Sequence, residues 1–275
     1  MQEPTSVQVT VGDKTLTLET GLLAIQARGA VTVRLGDTLL LSAVTATEAP
    51  REGIDYFPLQ VEYRERFYAA GRFPGGYFKR EGRPSEKEIL TARFTDRPIR
   101  PLFPEGYRHD VQINNTLLSA DGTHEADVLS IVAASAALTL SDLPFLGPVG
   151  AVRIGRVAGR FIVNPTVQEQ EHSTLDLVYA GLQEVPIMIE GDAAEISEAD
   201  LVAAMKLAQA ECAKIIAAQY ELRRKLGLPD KSPVEHTAEN PLWEVARESV
   251  GAALEAACQM PQKAQRRQAL AAASE

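Results

Sequence analysis

The clearest chemical signal is the run Arg72-Phe73-Pro74-Gly75-Gly76-Tyr77-Phe78-Lys79-Arg80-Glu81-Gly82-Arg83-Pro84. Tyr77, Phe78, Lys79, Arg80 and Arg83 combine cations with aromatic faces, the mixture that tracks a single nucleic-acid strand by phosphate charge and base stacking. Gly71, Gly75, Gly76 and Gly82 allow positive φ and close approach of the backbone to a ligand. The alternative is an ordered surface loop whose aromatics fold back onto the core. Downstream, Arg93 and Arg97 are one helical turn apart on one face, and Arg100 follows. These three are candidate RNA or phosphate contacts, with ion pairs to Glu88 and Asp96 as the alternative.

The run Asp121-Gly122-Thr123-His124-Glu125-Ala126-Asp127 could supply metal ligands or an acid–base cluster. A helix start capped by Asp and Thr accounts for the same residues. His109, His172 and His236 have no ligand-like spacing. The phosphate-loop, nucleophile-elbow and His-Glu-x-x-His signatures are missing, and Gly12-Asp13-Lys14-Thr15 is only a turn. Cys212 and Cys258 fall in helical patterns without a Cys-x-x-Cys pair, so they read as small core hydrophobes in a reducing compartment.

A net charge of −9 argues against a general polyanion binder, but the charge is uneven. Residues 64–108 hold eleven Lys/Arg against six Asp/Glu, a net of +5, which leaves −14 on the remainder. A basic island on an acidic body suggests one localised polyanion site, and a solvated basic face is the plain alternative. No run nears the roughly 18 apolar residues that span a bilayer. The first residues lack a basic and apolar leader, so a cytoplasmic protein without membrane contact is expected.

Several elements must hold these residues. Alternating β-branched residues around Gly12-Asp13 and Gly36-Asp37 predict hairpins over residues 7–19 and 31–47, with further strands at 59–63 and 111–118. The stretch 64–84 has no period and reads as a long loop. A capping box at Ser85 to Glu88 starts a helix that should stop before Pro98. Residues 127–140, almost continuously apolar, predict a helix buried on most sides. A third hairpin turns at Ala158-Gly159, two strands follow at 175–180 and 185–190, and a long amphipathic helix runs from Ser197 to Gly227. The fold class is therefore α+β, built of two β-then-α halves that meet near residues 144–148. Residues 242–258 look helical, whereas 261–275 trail off without partner elements, and the sequence reads as cut short.

Residues Phe73 to Glu86, together with Asp96-Arg97-Pro98-Ile99-Arg100-Pro101-Leu102-Phe103-Pro104-Glu105-Gly106, closely resemble bacterial polynucleotide phosphorylase. The likeness is colinear from about Thr5 to about Leu228 and includes Gly29-Ala30-Val31-Thr32-Val33 and Ser119-Ala120-Asp121-Gly122. It implies an RNase PH-like domain over 1–228, halved at 145/146, then a linker at 229–241 and the start of an all-helical domain at 242–275. The family's second RNase PH-like domain and its KH and OB-fold modules are not in this sequence. The family degrades RNA from the 3′ end with inorganic phosphate and Mg²⁺, releasing nucleoside diphosphates, and runs in reverse as a nucleotidyltransferase. It works as a homotrimeric ring with RNA in the central channel, and other RNA-decay proteins are candidate partners. Residues 77–80 match the channel constriction, with Lys79 in place of the more usual Arg, which loses planar bidentate phosphate contact.

Family catalysis and Mg²⁺ belong to the second RNase PH-like domain, where two Asp six residues apart lead into a strand. Aligned by eye, Gln168 and Thr174 stand there, with Glu169 and Glu171 as the nearby acids. RNase PH grips phosphate with a Gly-Thr-Arg helix start, which here reads Gly122-Thr123-His124. The expectation is an RNA-guiding, non-catalytic copy with neither catalytic nor metal residues on this chain. The rivals are a stand-alone active phosphorolytic nuclease and a purely structural ring or adaptor protein.

Overall fold

The computed structural model describes residues 4–77, 79–229, 231 and 242–274. The period-two patterning of the first residues sets four antiparallel strands: β1 (Thr5–Val11), β2 (Lys14–Thr20), β3 (Gly29–Leu35) and β4 (Thr38–Ala46). Val11 pairs with Lys14 and Leu35 with Thr38, closing hairpins at the two Gly-Asp turns. Gly12 and Gly36 there have φ of 60° and 59°, a region where side chains are strained. β5 (Leu59–Glu65) and β6 (Val111–Ser119) complete a six-stranded sheet in the order β1-β2-β3-β4-β6-β5. β5 and β6 run parallel, since the loop and helix between them carry the chain back across the sheet.

The second half builds a four-stranded antiparallel sheet from β7 (Gly150–Val157), β8 (Arg160–Val163), β9 (Leu175–Gly181) and β10 (Pro186–Ala193), ordered β10-β9-β7-β8. At its Ala158-Gly159 turn both residues are left-handed, φ 48° and 78°, as a type I′ hairpin demands.

Between the sheets lies α2 (Asp127–Leu140), buried from Val128 through Thr139. Its alanines let β3 and β4 approach on one side and β7 on the other. α1 (Glu86–Ile99) and the short α3 (Val167–Glu171) each begin with a capping box, Ser85 with Glu88 and Thr166 with Glu169. α4 (Glu198–Lys225), capped by Ser197, buries Ala204, Ala208, Cys212, Ile215 and Leu222 along one stripe and packs on β1, β7 and β9. Gly150 marks that crossing: a Cβ there would sit 2.4 Å from the Cys212 carbonyl oxygen and 2.7 Å from its Cα. Because backbone cannot swing aside as a side chain can, Gly150→Ala should destabilise the fold by about 1–3 kcal/mol or more. A lowered urea midpoint at unchanged slope is the expected reading; an unmoved midpoint would mean α4 does not press on β7.

Four expectations need correction. α1 runs through Pro98 to Ile99, because Pro98 sits in the last turn and is buried beside the fully buried Ile99. Only one helical bond is forfeited there, and Arg100 N–H continues to the Asp96 carbonyl. Residues beyond Pro261 do have a partner: α6 (Lys263–Ser274) packs on α5 (Leu242–Cys258), helped by an Ala-rich sequence with high helix propensity. Cys258 is exposed, since the buried residue of α5 is its neighbour Ala257. The α2 N-cap is Ala126, without a side-chain hydrogen bond, so neither Asp nor Thr caps this helix. The chain divides into two compact units, Met1–Pro233 and Val234–Glu275, and the first contains both sheets. Most of the expected linker, with His236, lies outside the described residues.

Candidate nucleic-acid interface

The long loop leaves the end of β5, makes a 3-10 turn at Phe67–Ala70 and enters α1 at Ser85. Its feet are tied. Glu81 accepts from the Arg66 guanidinium and from Phe67 N at 3.3 Å, and Arg64 Nη2 donates to Gly82 O at 3.0 Å. Ala120 N donates to Ala69 O at 3.0 Å, fastening the 3-10 turn to the end of β6.

The tip is different. Lys79 N donates to Gly76 O at 3.0 Å, with Lys79 itself left-handed at φ 51°. Tyr77 is 95% exposed and Phe73 77%, and the Lys79 ammonium lies 5.7 Å above the Phe73 ring. Lys79, Arg80 and Arg83 are exposed, and no carboxylate within ion-pair distance is found for any of them among the described residues. Phe78 lies outside the described residues. Sequence reading took Phe73 only as part of the motif; its exposure beside Lys79 is visible only in three dimensions.

The two arginines of α1, Arg93 and Arg97, and Arg100 just past its end go separate ways. Arg100 donates to both oxygens of Asp96 (2.9 and 2.6 Å) and to the Phe57 and Leu59 carbonyls (3.0 and 3.1 Å), a structural set that ties α1 to the approach of β5. Arg97 pairs with Glu190 of β10. Arg93 is exposed and, with Arg64 and Arg66, lines a groove of about 670 Å³ between β5 and α1 that also holds Glu88 and Ile89. It is therefore the arginine of α1 that shares a surface with the loop's base.

A second charged constellation joins the two halves. Arg153 of β7 donates to both oxygens of Asp176 on β9 and to Asp127 at the start of α2. Burial pushes the Asp176 carboxyl up, against the pull of Arg153. Gln168 and Thr174 are both exposed, and the Thr174 hydroxyl donates to the Arg156 carbonyl at 3.1 Å. The residues six apart that meet here are instead Gln170 and Asp176. Gln170 is close enough to stabilise the Asp176 charge, although both atoms of its buried amide lack a full hydrogen bond. Glu169 closes the α3 capping box and Glu171 is exposed. These side chains do not fit a divalent cation: the two aspartates are already held by a guanidinium. Among the described residues no three His, Cys, Asp or Glu side chains gather as a metal set.

Beside it, Asp121 organises the Gly122-Thr123-His124 turn. It accepts from Thr123 N at 2.7 Å and His124 N at 2.9 Å, and its other oxygen lies 2.8 Å from His124 Nδ1. Burial acts to raise this carboxyl, yet the bonds from the His124 ring and the two amides win and hold it well below the usual range. A carboxyl lowered by folding stabilises above its unfolded pKa of about 3.9, and that contribution fades as pH falls. Asp121→Ala should thus cost about 1–3 kcal/mol at pH 7 by orphaning those donors. The gap to the parent chain should narrow in melts below about pH 4; a gap independent of pH would contradict this account.

Two family models match the chain: the 3′ exoribonuclease family, domain 1, over residues 12–144, and the 3′ exoribonuclease family, domain 2, over residues 147–211. Their boundary falls where the two sheets divide. A polyribonucleotide nucleotidyltransferase of Akkermansia muciniphila is 51% identical over 268 residues, covering 97% of this chain and 37% of the relative. That of Methylacidiphilum infernorum is 55% identical over 232 residues, covering 84% of this chain and 33% of the relative. That of Thermomicrobium roseum is 49% identical over 267 residues, covering 97% and 34%. The chain thus spans about a third of the length of these relatives. Among solved structures, rice (Oryza sativa) Rrp46 superposes with a TM-score of 0.58 at 15% identity, covering 80% of this chain and 95% of that one. At that identity the likeness is one of fold.

Proposed function

Because the chain belongs to the 3′ exoribonuclease family, we propose that it is the RNA-guiding part of a phosphate-dependent 3′-to-5′ exoribonuclease. The enzyme releases nucleoside diphosphates and runs reversibly as a nucleotidyltransferase. Its chemistry, with Mg²⁺ and inorganic phosphate, takes place in a second RNase PH-like domain. Three such proteins close a ring in the cytoplasm, and the loop at residues 71–84 faces the RNA.

The observation that carries this reading is the contrast within the loop. Its feet use Glu81, Arg64 and Arg66 among themselves, whereas Lys79, Arg80 and Arg83 stand exposed without a described carboxylate. Buried or structural cations pair; exposed ones clustered with aromatic faces are suited to phosphates and bases. The glycines support it too. A Cβ on Gly75, Gly76 or Gly82 would meet nothing within 4 Å, and none of the three has a positive φ. The positive φ expected of these three is not adopted, and what they offer is backbone open to close approach, with no described residue in the way. Arg93, facing the groove at the loop's base, is the α1 arginine best placed to extend the phosphate track; Arg97 and Arg100 serve as braces. Titrating the chain with single-stranded RNA across a KCl series tests the proposal. Binding whose logarithm falls steadily with log salt is expected, and its absence would favour a structural ring or adaptor role.

A further inference from the structure

The Arg153 constellation, which joins the halves, and the Asp121 turn beside it have opposite signs. Arg153 sets Nη1 2.9 and 2.7 Å from the oxygens of Asp176, and Nη2 2.5 Å from Asp127. One guanidinium thus bridges carboxylates from two separate elements, which would repel each other without a cation between them. Asp121 does the converse. The Thr123 and His124 amides converge on it, as successive amides converge on an anion, and Asp37 N adds a contact at 3.2 Å. His124, Asp127 and Arg153 line one small cavity, so the two clusters adjoin.

We propose that this region is a self-ligated site: the Arg153 guanidinium fills its cation position and the Asp121 carboxylate its anion position, excluding both divalent metal and phosphate. The inference rests on reading the chain as the non-catalytic part and gives that reading a physical cause. It also fixes the halves together without any exchangeable ion, since Asp127 belongs to the first half and Asp176 to the second.

Thermal melts of the whole chain in Mn²⁺ and in inorganic phosphate test it. Arg153→Met keeps the aliphatic stem and removes the charge. It should melt below the parent chain, and Mn²⁺ should raise its Tm by on the order of 5 °C at saturation. Adding Asp176→Asn should erase that response. Asp121→Ala should respond to phosphate by a similar margin beyond the parent chain, whose loop gives the background. Should Arg153→Met be unfolded without metal, recovery of its far-UV dichroism on adding Mn²⁺ gives the same support. A parent chain stabilised by Mn²⁺ in a manner that Asp176→Asn abolishes would overturn the proposal. So would an Arg153→Met chain, folded or not, on which Mn²⁺ has no effect, or an Asp121→Ala chain no more responsive to phosphate than its parent. The melts contain no RNA, so their failure leaves the loop reading intact.

Discussion

Replacing Lys79, Arg80 and Arg83 together with alanine is expected to remove most of the salt-dependent RNA affinity of the chain. Each lost phosphate contact on a single strand flattens the log–log salt slope by roughly 0.7, so the triple variant should lose about 2 from it. The loss should be nearly independent of RNA sequence, because phosphates carry none. Stability should hold within about 0.5 kcal/mol, since the loop's feet rest on Glu81, Arg64 and Arg66, not on these three residues. Phe78→Ala should part company with the charge variants, weakening binding by about 1–3 kcal/mol through lost stacking while leaving the slope nearly unchanged. In a complete enzyme both changes should shorten the stretch degraded per encounter on long RNA and spare very short oligomers. If the triple variant keeps affinity, slope and processivity, the loop is structural.

Incubated with oligo(A), phosphate and Mg²⁺, the chain by itself should release no ADP. On the function proposed above, phosphorolysis uses a carboxylate-bound metal to polarise the attack. The two aspartates nearest such a geometry, Asp127 and Asp176, are engaged by Arg153. Robust ADP release from protein made in a host lacking its own phosphorolytic nuclease would sink this reading and revive a stand-alone nuclease.

Much of the architecture was legible because it is local. Turn chemistry at Gly12-Asp13, Gly36-Asp37 and Ala158-Gly159 fixes hairpins within a few residues, and capping at Ser85 and Ser197 fixes two helix starts. The all-apolar run of α2 announced a helix covered on every side, and it is covered by both sheets. Pro98 misled because its cost depends on how many helical bonds follow it, and α1 ends one residue later. The α6 helix was missed because its partner face is supplied by α5, across a turn that periodicity within one segment does not describe.

For the functional residues the boundary is sharper. Sequence alone determined that cations, aromatics and glycines share one loop, since all lie within fourteen residues, and it determined the family through motifs of fixed order. Which arginines remain available was decided only in three dimensions. Arg64, Arg66, Arg97 and Arg100 look like Arg80, Arg83 and Arg93 in sequence, yet the first four find Glu88, Glu81, Glu190 and Asp96. Likewise, Asp176 meets Arg153 with Gln170 beside it, and Gln168 and Thr174 stay exposed, because α3 and the start of β9 set which side chains turn inward. Charge pairing reaches as far as side chains do in space, across separations of 93 residues for Arg97 and Glu190, and no spacing rule along the chain encodes it.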